Sequence, residues 1–230
     1  YKVEEKEILE NNNRYVSIDL GINNLCTMGS NVLKPILING KPLKSINQYY
    51  NKKLANLKSK LRNEKKTSKR IKSLTNKRNN KVNDYLHKTS RLITNYLVSN
   101  NINTLVIGKN KEWKQDVNIG KKNNQNFVQI PHSRLIDMIS YKCKIEGIFV
   151  IITEESYTSK CSFLDDEGIK KQKSYKGKRI KRGLFKSSKG ILINSDVNGS
   201  LNILKKVVGK FNYNPIEVCS TPTVITVKFN

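Results

Sequence analysis

Between Lys41 and Arg91 the chain carries 17 Lys or Arg against two acids, Glu64 and Asp84, while its apolar residues return at helical spacing. Leu54, Leu57 and Leu61 make one stripe; Val82, Tyr85, Leu86, Leu92, Ile93, Tyr96 and Leu97 make another. An amphipathic helix buries such a stripe and leaves its other face to the surroundings. The pattern predicts two helices, broken near Lys66-Thr67-Ser68, with strongly basic outer faces. A solvated hairpin explains most charge runs, but a solubilising face mixes its signs and this one does not. A phosphate-contacting insertion is the favoured reading. Its candidate contacts are Lys65, Lys66, Lys69, Arg70, Lys77 and Arg78.

The bias extends to the whole chain. Its 230 residues hold 44 Lys and Arg against 18 Asp and Glu, a formal charge of +26. Self-repulsion at that level opposes the compact state, and a polyanionic partner relieves it. Nucleic acid is the leading candidate, ahead of an anionic membrane surface. No apolar run approaches the roughly 18 residues of a membrane span. No signal peptide is recognised, and a chain opening at Tyr1 is expected to lack its true N-terminus. Cys26, Cys143, Cys161 and Cys219 are scattered without paired spacing, so a reduced, cytoplasmic protein is expected.

Strand patterns flank the basic helices. Arg14 to Leu20 alternates apolar and polar residues, Leu25–Ser30 and Val32–Ile38 follow, and Asn39-Gly40 is a turn signal. The three predict an antiparallel meander. Asn103–Ile107 is a fourth strand after a helix, as in a crossover unit. Helix resumes near His132, Gly147–Ile152 is a fifth strand, and Asp196–Lys206 reads as helix. Lys170–Lys189 holds ten Lys or Arg and no acid, and Gly177, Gly183 and Gly190 argue for a loop. The β-prone run Thr223–Phe229 has no assignable place. The whole reads as an α/β chain.

Three acidic positions stand out. Asp19 ends a strand otherwise built from Val16, Ile18 and Leu20, where an ionised carboxylate is costly unless a cation or donors compensate it. Glu154 and Glu155 follow the fifth strand, and Asp196 opens a helix. Singly, each has a plain alternative: Asp196 as a helix N-cap, the glutamates as surface residues. Together, in a chain with so few acids, they suggest one pocket for divalent cations, which prefer carboxylate oxygens. Cys161 has no partner for a zinc knuckle, so no zinc site is expected. No nucleophilic triad, P-loop or dinucleotide fingerprint is present. Tyr49, Tyr50, Tyr85, Tyr157, Tyr175 and Phe185 interleave with basic residues and could stack on bases, but packing is the better reading for most. For Trp113, stacking and anchoring stand level.

Several segments resemble the TnpB family of transposon-encoded, RNA-guided nucleases related to type V CRISPR effectors. Ser17-Ile-Asp-Leu-Gly-Ile-Asn-Asn-Leu25 resembles its first RuvC motif, and Asn83-Asp-Tyr-Leu-His-Lys-Thr-Ser-Arg91 a segment of its helical insertion. Glu155-Ser-Tyr-Thr-Ser-Lys160 resembles the stretch before its zinc ribbon. Gly177–Gly183 and Asn194-Ser-Asp-Val-Asn-Gly-Ser-Leu-Asn202 resemble the run into its third RuvC motif. The resemblance implies an RNase H-like (RuvC-type) mixed sheet flanked by helices, with a basic helical insertion and a zinc-less ribbon-like loop. It implies RNA-guided DNA cleavage with two Mg²⁺ ions (or Mn²⁺), guide RNA and target DNA as partners, and a missing N-terminal part.

Asp19 and Asp196 carry over as metal ligands. Gly108 stands where many members have the catalytic Glu, whereas some branches place it before the Thr-Ser-Lys segment, as Glu155 does here. A relocated glutamate follows, with Glu155 preferred to Glu154. The loop 161–190 lacks the ribbon cysteines, leaving Lys178, Arg179, Lys181 and Arg182 for backbone phosphates. The expected division is a linker 1–13, RuvC parts at 14–45, 101–160 and 191–210, the insertion 46–100, the loop 161–190 and a tail 211–230. Rival functions are a nuclease-dead, RNA-guided DNA-binding regulator and a self-sufficient RNase H-like resolvase or transposase.

Overall fold

The computed structural model describes residues 5–61, 65–109 and 129–228. The predicted meander forms as β1 (Tyr15–Leu20), β2 (Asn24–Ser30) and β3 (Ile36–Asn39), paired antiparallel in succession. Helices α1 (Lys41–Lys58) and α2 (Lys69–Ser99) follow, and the predicted break is an N-cap: the Ser68 hydroxyl accepts from the Ile71 amide. They carry the chain across to β4 (Thr104–Gly108), which lies parallel to β1. Helix α3 (His132–Ile145) then leads to β5 (Phe149–Thr153), parallel to β4. Trp113 lies outside the described residues.

The unplaced tail supplies β9 (Thr223–Ile225), parallel to β3, and completes a six-stranded mixed sheet in the order β5-β4-β1-β2-β3-β9. β4 is buried throughout because both sheet faces are covered. On one face Val16, Ile18, Leu105 and Ile107 meet Tyr85, Leu86, Ile93 and Leu97 of α2 and Leu135, Ile136 and Ile139 of α3. On the other, Val106 packs on Ile203 and Leu204 of α4 (Ser195–Val208). The α/β mixed sheet flanked by helices expected from the family resemblance is the observed architecture. Among the described residues no helix is long and apolar enough to cross a membrane.

Residues 170–189 depart from the predicted loop. They contain β6 (Lys178–Lys181) and β7 (Leu184–Lys186), a hairpin that pairs with β8 (Leu192–Asn194) into a second antiparallel sheet. The glycines mark its turns: Gly183, at φ +77°, sits between β6 and β7 where a left-handed residue is needed. The strands escaped the sequence pattern because β6 is exposed on both faces, so it has no apolar alternation. Two acids organise this segment. Buried Glu167 accepts from the amides of Ser162 (2.7 Å) and Lys176 (3.1 Å), and Asp165 accepts from the amide and hydroxyl of Ser188. Cys161 is buried, its thiol directed at the Gly168 and Lys170 carbonyls.

Candidate active site

Strand periodicity puts Ser17 and Asp19 on the same side of β1, opposite the core positions Val16, Ile18 and Leu20. That side meets α4, and the approach is close. The Ser17 hydroxyl lies 2.6 Å from the Ser200 carbonyl and 2.9 Å from the Ser200 hydroxyl, which also accepts from the Gly29 amide at 2.9 Å. One residue back on α4, a Cβ on Gly199 would sit 2.9 Å from Asp19 Oδ2, so only glycine lets the helix lie against this carboxylate. Burial, then the charges of Glu155 and Asp196, raise the Asp19 pKa well above the ordinary value, and Arg179 pulls it down.

Asp196 stands in the first turn of α4 but is not the cap. Asn194 is: its side chain accepts from the amides of Asp196 and Val197. The Asp196 carboxylate is left for the cleft, where Asn24 Nδ2 donates to Oδ2 at 2.8 Å and Arg179 Nη2 to Oδ1 at 3.1 Å. Arg179 also donates to the Ser195 hydroxyl at 2.7 Å. Asp19, Asn23, Asn24, Arg179, Arg182 and Asp196 share the lining of a cleft of about 320 Å³.

Glu155 does not line this cleft, though its charge is felt at Asp19. It lies two residues beyond β5, and its carboxylate folds back over β4, where a Cβ on Gly108 would sit 2.9 Å from Glu155 Oε2 and 2.5 Å from Ile203 Cδ1. Burial pushes the Glu155 pKa up to about 7, against a downward pull from Lys206. Glu154 faces outward instead, with Lys206 Nζ 3.6 Å from its Oε2 and the Ser156 hydroxyl on its Oε1. Two buried asparagines of α4 hold the segment after Glu155. Asn202 donates to the carbonyls of Thr158 and Cys161, and Asn198 donates to Cys161 and accepts from the Phe163 amide. Thr158 in turn donates to the Glu155 carbonyl, through both its hydroxyl and its amide.

The donor chemistry fits a hard divalent cation: burial favours protonation of Asp19 and Glu155, and neighbouring carboxylate charges add to it at Asp19, a cost that a metal would relieve. Among the described residues, however, no three His, Cys, Asp or Glu side chains are grouped tightly enough to hold one as they stand. The Arg179 guanidinium occupies Asp196 in that arrangement.

The basic candidates divide. Arg179 and Arg182 reach the cleft, whereas Lys178 and Lys181 are exposed on β6. Lys65, Lys66, Lys69, Arg70 and Lys77 are exposed around the start of α2. Arg78 is half-buried and engaged internally, donating to Asn47, Asn79 and the Gln129 carbonyl with its guanidinium over the Tyr50 ring. Asn24, Asn198, Asn202 and Glu167 are site and support residues that sequence reasoning passed over. For the α4 asparagines a signal existed: two amides four apart, on one face of a helix that also carries Val197, Leu201 and Leu204.

Comparison with known proteins gives concordant matches. A family described as a probable transposase (OrfB_IS605) matches residues 1–114, and the Cas12f1-like TNB domain matches residues 132–203. The TnpB-like protein ORF457 of Acidianus two-tailed virus is 28% identical over 209 residues, covering 86% of this chain and 42% of that protein. The fold resembles a Cas12f1–sgRNA–target DNA complex at a TM-score of 0.61 and 19% identity, covering 85% of this chain and 50% of that one. It also resembles a CRISPR-Cas12f ternary complex at a TM-score of 0.57 and 15% identity, over 93% and 42% of the two chains. The chain thus spans half or less of the length of these relatives.

Proposed function

Because this chain belongs to the TnpB family, we propose that it is the RuvC-type catalytic portion of an RNA-guided DNA endonuclease of transposon origin. Guide RNA and target DNA are its partners in this reading, in keeping with the +26 charge. The observation that carries it is the meeting of Asp19 and Asp196, from a strand and a helix, beside two arginines in one cleft, with the Glu155 charge felt at Asp19.

Asp19, Glu155 and Asp196 would hold Mg²⁺, or Mn²⁺ in its place. Two such ions, when bound, activate water and stabilise the leaving oxygen of a phosphodiester. The chain's own groups do the rest. Asn24 orients Asp196, and Asn202 with Thr158 fixes the segment that presents Glu155. Arg179 and Arg182 meet the phosphate at the cleft; a guanidinium released from Asp196 is placed to pair with a phosphate oxygen. Gly108 supports the relocated glutamate: any larger residue there would meet both Glu155 and Ile203. Glu154, turned to Lys206, is the weaker candidate.

The test is Mg²⁺-dependent cleavage of a matched plasmid by the full-length protein carrying its co-purified RNA. Asp19→Ala, Glu155→Ala and Asp196→Ala are each expected to abolish cleavage while target binding persists. Wild-type binding without cleavage would favour the nuclease-dead regulator. Full cleavage by Glu155→Gln would remove the relocated glutamate alone.

A further inference from the structure

The outer seam of α1 and α2 carries a feature that the active site does not use. Two adjoining grooves run along it, with volumes of about 720 and 390 Å³, and they share Tyr49, Leu74 and Lys77. Their walls include Lys53, Lys60, Arg70 and Lys81, and among the described residues not one that lines them is acidic. The two neighbouring tyrosines behave differently. Tyr50 is spent on the fold: its hydroxyl is 3.1 Å from that of Thr75, and its ring lies under Arg78. Tyr49 is 61% exposed, and Lys53 lies near its face, at 5.8 Å from the ring centroid.

An exposed ring on an apolar floor, bordered by cations, matches what a single nucleic-acid strand offers. An unpaired base has an aromatic face to stack, and the phosphates on either side need countercharge. A duplex keeps its base faces stacked inside and offers none for an aromatic ring to stack on. Packing is the better account for Tyr50, Tyr85 and Phe185, the last two being fully enclosed; it fails for Tyr49.

We propose that the α1–α2 seam is a binding site for a single-stranded stretch of nucleic acid, with one unpaired base stacked on Tyr49 and the adjacent phosphates on Lys53, Lys77 and Lys81. The site lies on a separate pair of helices from the carboxylates and deepens the nucleic-acid reading without depending on cleavage. Whether the strand is RNA or DNA is open to the same chemistry, so both are probed.

The experiment titrates the protein with single-stranded RNA and DNA oligonucleotides carrying one 2-aminopurine, and with the matching duplexes, at fixed salt. Stacking on Tyr49 quenches the probe. Tyr49→Ala is expected to weaken single-strand binding by about tenfold and abolish the quench, while Tyr49→Phe retains both. Duplex binding should be the same for all three proteins. A thermal melt of Tyr49→Ala matching wild type excludes a folding defect, as the exposed position predicts. If RNA alone shows the effect the strand is RNA, and if DNA alone shows it, DNA. Single-strand binding and quench unchanged in Tyr49→Ala would overturn the proposal, as would equal losses on single strand and duplex, which would mark a general basic face. Neither result bears on whether Asp19→Ala abolishes cleavage, so the two readings fail separately.

Discussion

Glu155 shows how a residue's surroundings set its chemistry. Its pKa rises from the ordinary 4.5 to about 7 chiefly through burial, even with Lys206 nearby. An acid whose pKa is raised on folding binds more protons folded than unfolded between those two values, so its contribution to stability falls as pH rises through that window. Asp19, raised for the same reasons, acts in the same direction. Other carboxylates, such as Asp165 and Asp166, are lowered and work oppositely, so the informative quantity is a difference. Without metal, Glu155→Gln should gain stability relative to wild type from about pH 4.5 to 7 and level off above. Mg²⁺ should shrink that gain at about pH 8 by stabilising the wild type. Denaturant melts across pH check both, and a gap that does not change with pH would mean Glu155 is not perturbed.

At the scale of elements, the 161–190 segment shows how a loop with many lysines is kept in shape. Glu167 ties Ser162 to Lys176, Asp165 ties the chain to Ser188, and Lys205 of α4 donates to the Glu167 carbonyl. These bonds hold β6 where Arg179 can reach Asp196. Removing a buried acceptor strands its donors at about 1–3 kcal/mol. Glu167→Ala is therefore expected to lower stability by about 2 kcal/mol, and Glu167→Gln, which keeps one acceptor oxygen, by less. A shift in the denaturant midpoint with an unchanged slope is the measurement. Midpoints equal to wild type in both variants would show that the segment is held by other contacts.

For the molecule as a whole, charge governs what the surface can bind. Among the described residues the cationic side chains lie mostly outside the core. Among the described cations Lys142 is an exception: it is enclosed, with Nζ on the His87 carbonyl and the Ser90 hydroxyl, and burial lowers its pKa. Nucleic-acid affinity should fall steeply with salt, by about 0.9 log unit per log unit of salt for each phosphate neutralised on duplex DNA. Changing Lys65, Lys66, Lys69 and Arg70 together to Gln should flatten that slope by about 3.6 if each meets one phosphate. An unchanged slope would remove the start of α2 from the contact surface.

The sequence by itself determined the elements whose patterns are local. The meander, the two basic helices with a break at Ser68, and α3 each follow from periodicity and capping over a few residues. It also marked Asp19 as an acid out of place among apolar neighbours. Tertiary structure decided what depends on distant partners. It made Asn194 rather than Asp196 the cap, turned Glu155 inward over Gly108 and Glu154 outward to Lys206, and spent Arg78 internally. It paired β9 with β3, and it built β6, which has no apolar alternation to announce it. The physical reason is common to all of these. Periodicity records which face of a segment is buried, but the direction of a polar side chain is set by the donors and charges that another part of the chain brings within reach.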